Sequence, residues 1–358
     1  VSEKNKSKSV TDILSASQTD GMVMRNSLGI DIKFEEDSIK TYKIVRSGDY
    51  VIHLRSFQGG FAFSERMGVC SPAYTILRPN TALKYGFLRP YFMSNKFINS
   101  LKLVTYCIRD GKSISVEEWL KLYTYIPVHR EQEKISLFLS LLDERIATQN
   151  KIIEDLKKLK VAITQKISKD KSNKKVMLSE LLTERCEKNK DLYPVHSVSV
   201  SEGIINQIDY LGRSFAANDI SNYNVVYYGD IVYTKSPTGD FPYGIVKMNS
   251  INAKVSVSPL YGVYHPSSKY VGIYLHNYFS NSLNAKNYLH KLIQKGAKNT
   301  INITNKRFLE NEISLPNEAL LKEYSLFIST FDLKIKSEQK ALLLLQKQKE
   351  YLLQQMFI

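Results

Sequence analysis

This sequence runs twice, and that limits what it can fold into. A glycine–aspartate turn, a Ser-Pro-x-Tyr segment, a helical stretch, a proline-containing exit and a long segment of helical spacing occur in order and then recur. Gly48-Asp49 returns as Gly229-Asp230 (229 − 48 = 181). Ser71-Pro72-Ala73-Tyr74 returns as Ser258-Pro259-Leu260-Tyr261 (258 − 71 = 187). Ile126-Pro127 returns as Leu315-Pro316, and Ser136-Leu137-Phe138 as Ser325-Leu326-Phe327, both at an offset of 189. The offset grows because loops in the second copy are slightly longer. Solenoid units repeat every 20–50 residues or so, so this period reads as a duplicated domain and predicts two similar globular units.

Periodicity places the elements within each copy. Between Tyr42 and Leu77 the chain reads as strands and turns, with β-rich runs at 49–54 and 73–77. Residues 87 to about 104 carry Phe87, Leu88, Tyr91, Phe92, Phe97 and Leu101 at helical spacing. Ser113-Ile114-Ser115 followed by Glu117-Glu118-Trp119-Leu120 reads as a capped helix start. Residues 123–128 are expected to form the last strand of the first unit. Glu3-Lys4-Asn5-Lys6 matches Glu187-Lys188-Asn189-Lys190. Val176 to Leu182, which opens the second unit, therefore has no counterpart in the first, and with Val1 at the start some leading residues of the native chain are expected to be missing.

From Glu131 to Ile167 there is neither Gly nor Pro, and apolar residues step by three and four: Ile135, Leu139, Leu142, Ile146, then Gln149, then Ile153, Leu156, Leu159, Ile163 and Ile167. The stretch from Glu318 to Phe357 repeats the seam with Tyr324, Ile328, Phe331, Ile335, then Glu338, then Leu342, Leu345, Leu352 and Met356. Even the polar interruption coincides (338 − 189 = 149), and a single polar seam position is a device that fixes coiled-coil register. Two matched helices of this length are expected to pack on each other. The domain plan that follows is a first unit over 1–130, a long helix over 131–169, a second unit over 170–317 and a second long helix over 318–358.

Composition supplies the partner. Lys and Arg outnumber Asp and Glu by 50 to 35, for a net charge of +15, a field that attracts polyanions. Tyrosine is frequent, 23 residues against the single Trp119, which suits a polar recognition surface and equally suits strand packing. No apolar run approaches the roughly 18 residues of a membrane span, and the polar start does not read as a signal peptide. Three sparse cysteines, Cys70, Cys107 and Cys186, fit a reducing cytoplasm. If the long helices pair antiparallel, one globular unit lies at each end, related by the kind of axis that also relates the two strands of duplex DNA. A helix of about 37 residues spans roughly 55 Å, on the order of 16 base pairs. The expectation is a bipartite DNA site with a fixed, unread spacer.

The order domain–helix–domain–helix resembles the specificity subunit of type I restriction-modification systems, HsdS. Gly48-Asp49-Tyr50-Val51-Ile52, Gly59-Gly60 and Val69-Cys70-Ser71-Pro72-Ala73-Tyr74 resemble that family's first target-recognition domain. Gly229 to Pro237, Pro242-Tyr243-Gly244-Ile245 and Ser258 to Tyr264 resemble its second. Arg109-Asp110-Gly111-Lys112-Ser113-Ile114 and Gln294-Lys295-Gly296-Ala297-Lys298-Asn299-Thr300-Ile301 look like the basic glycine loop before each domain's last helix and strand. The resemblance covers essentially the whole chain. It implies an α+β fold, with two similar α/β target-recognition domains at opposite ends of an antiparallel pair of long coiled-coil helices. It also implies a non-catalytic subunit that reads a split double-stranded DNA site and docks two methyltransferase subunits, with restriction subunits able to join. S-adenosylmethionine, ATP and Mg would then belong to those partners, with no cofactor on this chain and no membrane partner. The alternatives are a stand-alone bipartite DNA-binding protein, an orphan specificity subunit, and an enzyme whose site is spatial and not visible in sequence.

The sequence carries no recognisable catalytic motif. No Asn-Pro-Pro-Tyr type methyltransferase motif and no glycine-rich cofactor loop occurs. Gly111-Lys112-Ser113 has the end of a P-loop, but Tyr106 stands where its first glycine belongs. His276 and His290 lack ligand-like spacing. Base readout needs donors on loops. Arg55, Ser56 and Gln58 follow the Gly-Asp strand of the first copy; Thr234, Lys235, Ser236 and Thr238 hold the same place in the second, with Tyr243 in the following turn. Lys112, Lys295, Lys298 and Asn299 suit phosphate contacts that position without specifying. Lys157-Lys158-Leu159-Lys160 reads as an exposed helix face.

Overall fold

The computed structural model describes residues 3–17, 19–28, 36–80, 82–108, 111–295 and 301–357. The chain mixes strands and helices and divides into two compact units: Val1–Lys151 with Gln339–Ile358, and Ile152–Glu338. In unit 1 the central strand Tyr50–Ile52 lies between Ala62–Phe63 and Thr75–Leu77, antiparallel to both. In unit 2 the central strand Ile231–Thr234 lies between Ile245–Met248 and Gly262–Pro266, again antiparallel. Leu182–Glu184 adds a fourth strand beside Gly262–Pro266. The registers locate the drift in offset. Tyr50 faces Phe63 and Leu77, while Ile231, 181 residues on, faces Met248 and Tyr264. The partner offsets are 185 (248 − 63) and 187 (264 − 77), so four residues enter between the first and second of these strands and two more before the third.

Each central strand starts at a buried carboxylate. Asp49 and Asp230 are 1 % and 0 % exposed. Asp49 accepts the Arg46 backbone N–H at 2.9 Å and two guanidinium bonds from Arg78 at 2.9 and 2.8 Å. Asp230 accepts the Tyr227 N–H at 2.9 Å and two bonds from Arg185 at 2.7 and 3.2 Å. Arg46 and Tyr227 are repeat counterparts (227 − 46 = 181), but the two guanidinium donors are not. The counterpart of Arg78 is His265 (265 − 78 = 187), whose Nδ1 lies 3.3 Å from Asp230. Arg185 instead follows the strand Leu182–Glu184. The units keep a buried ion pair and draw the cation from different places.

Tyrosine turns out to be core material in unit 2. Tyr233, Tyr264 and Tyr274 are fully buried, and the rings of Tyr233 and Tyr264 stack on Phe308 at 4.5 and 5.1 Å. Their hydroxyls donate to the carbonyls of Tyr243, Asn305 and Ser314, which removes the cost of burying them. Unit 1 uses phenylalanine: Phe61, Phe92 and Phe97 pack at ring separations of 4.7–5.1 Å.

The long helices span His129–Ser168 and Glu318–Met356. In unit 1, Leu139 and Leu142 share a core with Leu353 and Phe357, and Asp143 pairs with Lys349. In unit 2, Lys160 reaches Asp332 at 2.6 Å, and the Thr164 and Tyr324 hydroxyls meet at 2.8 Å. One number rises as the other falls, so the packed segments run antiparallel. The two ion pairs are copies of each other (143 + 189 = 332; 160 + 189 = 349). Leu159, expected in the seam, is 48 % exposed; Lys160 and Thr164 face inward there because each finds a polar partner.

Residues 123–128 do not form the expected strand. Their counterpart Glu312–Leu315 does, because Lys174–Met177 pairs with it, and no described residue of unit 1 offers such a partner. The short helix Val116–Trp119 forms as expected, with the Ser115 hydroxyl accepting the Glu118 N–H.

Arg185→Ala should lower the stability of unit 2 by about 3 kcal/mol, because it strips a fully buried carboxylate of its main counter-charge. Adding His265→Arg should restore most of that loss, since it delivers a guanidinium from the position Arg78 uses. Urea denaturation of both single variants and the double variant checks this. A second expectation concerns acid. Burial holds the His276 imidazole, whose Nδ1 accepts the Met248 N–H, well below its usual range. As pH falls below about 6.5 the unfolded chain binds a proton the folded unit refuses, so unit 2 should lose stability from there down through the lowered native value. His276→Asn should flatten that slope in denaturation measured across the same range.

Candidate nucleic-acid interface

Each central strand delivers the chain into a loop that carries residues singled out above. In unit 2 this loop is Lys235 to Gly244. Thr234, at the strand end, is buried, and its hydroxyl accepts the Ser236 N–H. It anchors the loop and does not face solvent, contrary to its selection as a contact residue. Lys235 is half-buried, and burial lowers its ammonium pKa while Glu184 works the other way. Ser236 and Thr238 are exposed. The tip closes by paired backbone bonds between Thr238 and Phe241, at 3.1 and 2.7 Å. Gly244 completes the loop at φ +104°, and a Cβ there would lie 2.0 Å from the Thr234 carbonyl oxygen, so only glycine fits.

In unit 1 the same exit folds as a single helical turn, Ser56–Gly59. Ser56 is fully buried, and its hydroxyl accepts the His53 N–H at 2.6 Å; it closes the turn instead of reaching outward. Arg55 and Gln58 are exposed on that turn. Four fewer residues between paired strands leave no room for the hairpin tip of unit 2.

In unit 1 this loop lies beside the basic glycine hairpin, and in unit 2 it touches the helix that leads into its counterpart. The turn Ser56–Gly59 packs along Gly111–Ile114, which pairs with Thr105–Ile108. The half-buried ring of Tyr243 lies 5.9 Å from that of His290, four residues ahead of the pair Gln294–Lys295 and Ile301–Asn302. The backbones of Lys112 and Lys295 stand in these strands, and their side chains lie outside the described residues, as do Lys298 and Asn299 altogether. Lys157, Lys158 and Leu159 lie on an exposed helix face as expected, with Lys158 paired to Glu154 at 2.5 Å, whereas Lys160 turns inward to Asp332.

Sequence reading missed two cation–aromatic pairs. The Arg213 guanidinium lies 4.5 Å from the ring of Phe215, which is 57 % exposed. It follows Gly212, whose left-handed φ of +71° ends the helix Gln207–Leu211. An exposed planar cation on an exposed ring is a stacking platform for bases. The signal was the run Gly212-Arg213-Ser214-Phe215. Lys254 lies over the rings of Tyr227 and Tyr193 at 4.7 and 5.5 Å, and bonds to those tyrosines raise its pKa. Among the described residues no group of three or more His, Cys, Asp or Glu side chains could hold a metal ion, and no helix is long and apolar enough to cross a membrane.

No family model matches the sequence, and no curated protein matches it. Solved structures do. A chain from the structural study of complex assembly and conformational transition of the type I R-M system aligns over 99 % of this chain and 94 % of its own, with TM-score 0.59 and 13 % identity. The type I restriction-modification system S subunit from M. genitalium aligns over 100 % and 92 %, with TM-score 0.50 and 12 % identity. The chain has the fold of a type I specificity subunit. The HsdS subunit from Thermoanaerobacter tengcongensis superposes more loosely, with TM-score 0.45 and 12 % identity over 99 % and 93 % of the two chains. At such identity the likeness to specificity subunits lies in the path of the backbone. The alignments run through both units and both long helices.

Proposed function

We propose that this chain is the DNA-recognition subunit of a type I restriction-modification enzyme and has no catalytic role of its own. The observation that carries the reading is the match to type I subunits along the whole chain, both repeats included. The net charge of +15 and the packing of the loop on a basic hairpin in unit 1 support duplex DNA as the ligand. In this reading each unit reads one half of a split site through its central-strand loop, and the basic hairpins hold phosphates. In the same reading the length of the paired long helices sets the unread spacer. Two methyltransferase subunits dock on the assembly and supply S-adenosylmethionine chemistry, and restriction subunits bring ATP and Mg. The cell compartment is the cytoplasm, where such DNA is found.

Purified chain with DNA and S-adenosylmethionine should transfer no methyl group, and should direct adenine methylation to a split site once methyltransferase subunits are added. Methylation by the chain alone would refute the reading.

The spacer offers a sharper test. Residue numbers in both helix–helix ion pairs sum to 492 (143 + 349; 160 + 332). Lys151 and Ala341 share that sum, so four residues inserted after each lengthen both helices at one level. The insertion adds about 6 Å and about 400° of rotation, close to a whole turn. Sites selected from a random library should show a spacer longer by about one or two base pairs with both half-sites unchanged. Arg55→Ala or Lys235→Ala should relax one half-site, at about 1–3 kcal/mol if the lost contact is to a base, and leave the spacer alone.

A further inference from the structure

The matched segments Glu3-Lys4-Asn5-Lys6 and Glu187-Lys188-Asn189-Lys190 (187 − 3 = 184) fold into the same turn in both units. The asparagine is completely buried in each, and the lysines on either side of it are exposed. The Asn5 amide donates to the Val10 carbonyl at 2.7 Å and accepts the Val10 N–H at 3.3 Å. Asn189 does the same with Tyr193, at 3.0 and 2.7 Å. The main chain repeats these bonds. The Glu3 and Glu187 carbonyls accept the N–H of Ile44 and Val225, while the Asn5 and Asn189 N–H groups donate to Tyr42 and Tyr223. In each turn the second lysine's N–H reaches back to the first lysine's carbonyl, at 2.9 and 2.8 Å. Two residues on, Lys8 and Leu192 hold left-handed φ values of +54° and +57°, which residues other than glycine rarely adopt. The Lys188 ammonium helps to fix its turn, donating to the Asn222 carbonyl and to Asn224 Oδ1. Asparagine and main chain therefore build the turn, and nothing in that construction calls for lysine at positions 6 and 190.

The turn sits at the end of each unit from which the central-strand loop leaves. Lys4 bridges to Lys43, whose ammonium donates to the Tyr74 carbonyl at 2.6 Å. Lys188 bridges to Asn224, the counterpart of Lys43 (224 − 43 = 181), whose amide donates to the Tyr261 carbonyl at 2.9 Å. Tyr74 and Tyr261 close the two Ser-Pro-x-Tyr segments. The residues after them, Thr75 and Gly262, face Ile52 and Tyr233 near the far ends of the central strands. Arg55 and Lys235 follow within three residues. In unit 1 the Tyr74 ring also lies 6.1 Å from that of His53, whose Nδ1 accepts the Arg55 N–H.

We propose that the Lys-Asn-Lys turn of each unit is a phosphate grip, with Lys6 and Lys190 as its principal donors. It holds the duplex backbone beside the loop that reads it. The buried asparagine fixes the turn, and the exposed ammonium binds a phosphate as a point charge, without regard to sequence. Each unit thus carries one grip of common design next to a loop of its own. This rests on the reading of the chain as a DNA-recognition subunit.

The test is fluorescence anisotropy of labelled duplexes of several unrelated sequences, titrated with the full chain over a range of salt concentrations. Lys6→Gln and Lys190→Gln should each weaken binding to every duplex alike. Each should flatten the slope of log affinity against log salt by about 1, and the double variant by about 2. Melting temperatures should not move, since both side chains are exposed. Lys6→Arg and Lys190→Arg should keep the wild-type slope. Lys158→Gln, which removes the same charge from the exposed helix face, should leave the slope unchanged. Unaltered slopes in the glutamine variants would overturn the proposal. So would an equal loss with Lys158→Gln, which would reduce the effect to net charge, or a loss confined to some sequences, which would make these lysines base readers. A wild-type chain that binds no duplex at any salt concentration would overturn the functional reading itself, and the grip with it.

Discussion

A carboxylate with almost no solvent access fixes where each unit's central strand begins. A buried Asp costs far more than it returns unless its oxygens are fully bonded. Asp49 and Asp230 meet this by capping the backbone three residues back and taking a two-pronged guanidinium. The turn before each is closed by glycine at φ +95° and +86°, and the backbones of Ser64 and Asn249 lock it from the neighbouring strand. With the start so pinned, the residue at which the strand ends is also set, and with it the residue at which the loop leaves the sheet. The position of Arg55 and of Lys235 is thus decided a strand's length away.

The two units diverge where this pinning stops. Registers of the hairpins Leu14–Ser17 with Gly21–Met24 and His196–Ser199 with Gly203–Asn206 agree residue for residue at an offset of 182. By contrast the first loop after the central strand is a helical turn in one unit and a hairpin tip in the other. Such a scaffold can hold different loops without changing its core, because the glycines that end the loops, Gly60 and Gly244, close against backbone atoms of their own unit. Two units built on one scaffold then need not carry the same loop chemistry.

Much of this was legible in the sequence, for physical reasons that can be named. Long helices announce themselves by a seam sustained over many turns, and the Gly-Asp turn by a residue pair with few other uses. Burial of single polar residues was not legible. Ser56 and Thr234 have the chemistry of contacts, and only the fold reveals that their hydroxyls close turns inside. Arg185 and Arg78 could not be matched by alignment, because their common role is set by proximity to a carboxylate and not by sequence position. The missing strand at 123–128 has the right composition, but a strand is a property of a pair, and composition says nothing of the partner.

The seam itself separates what a duplicated helix pair must keep from what it may change. When a helix packs antiparallel on its own copy, each contact arises twice at duplication. The ion pairs Asp143–Lys349 and Lys160–Asp332 are still such twins. The contact of Thr164 with Tyr324 is not: its twin positions hold Leu353 and Ile135, both packed in the apolar core of unit 1. In each ion pair the lysine is mostly covered and the carboxylate about half exposed, so the pair itself contributes little to stability. Exchanging a hydroxyl pair for two apolar groups of fitting shape costs little once both have changed. The charged contacts therefore mark the register common to both halves of the seam, while the neutral contacts differ and fit each half to its own unit.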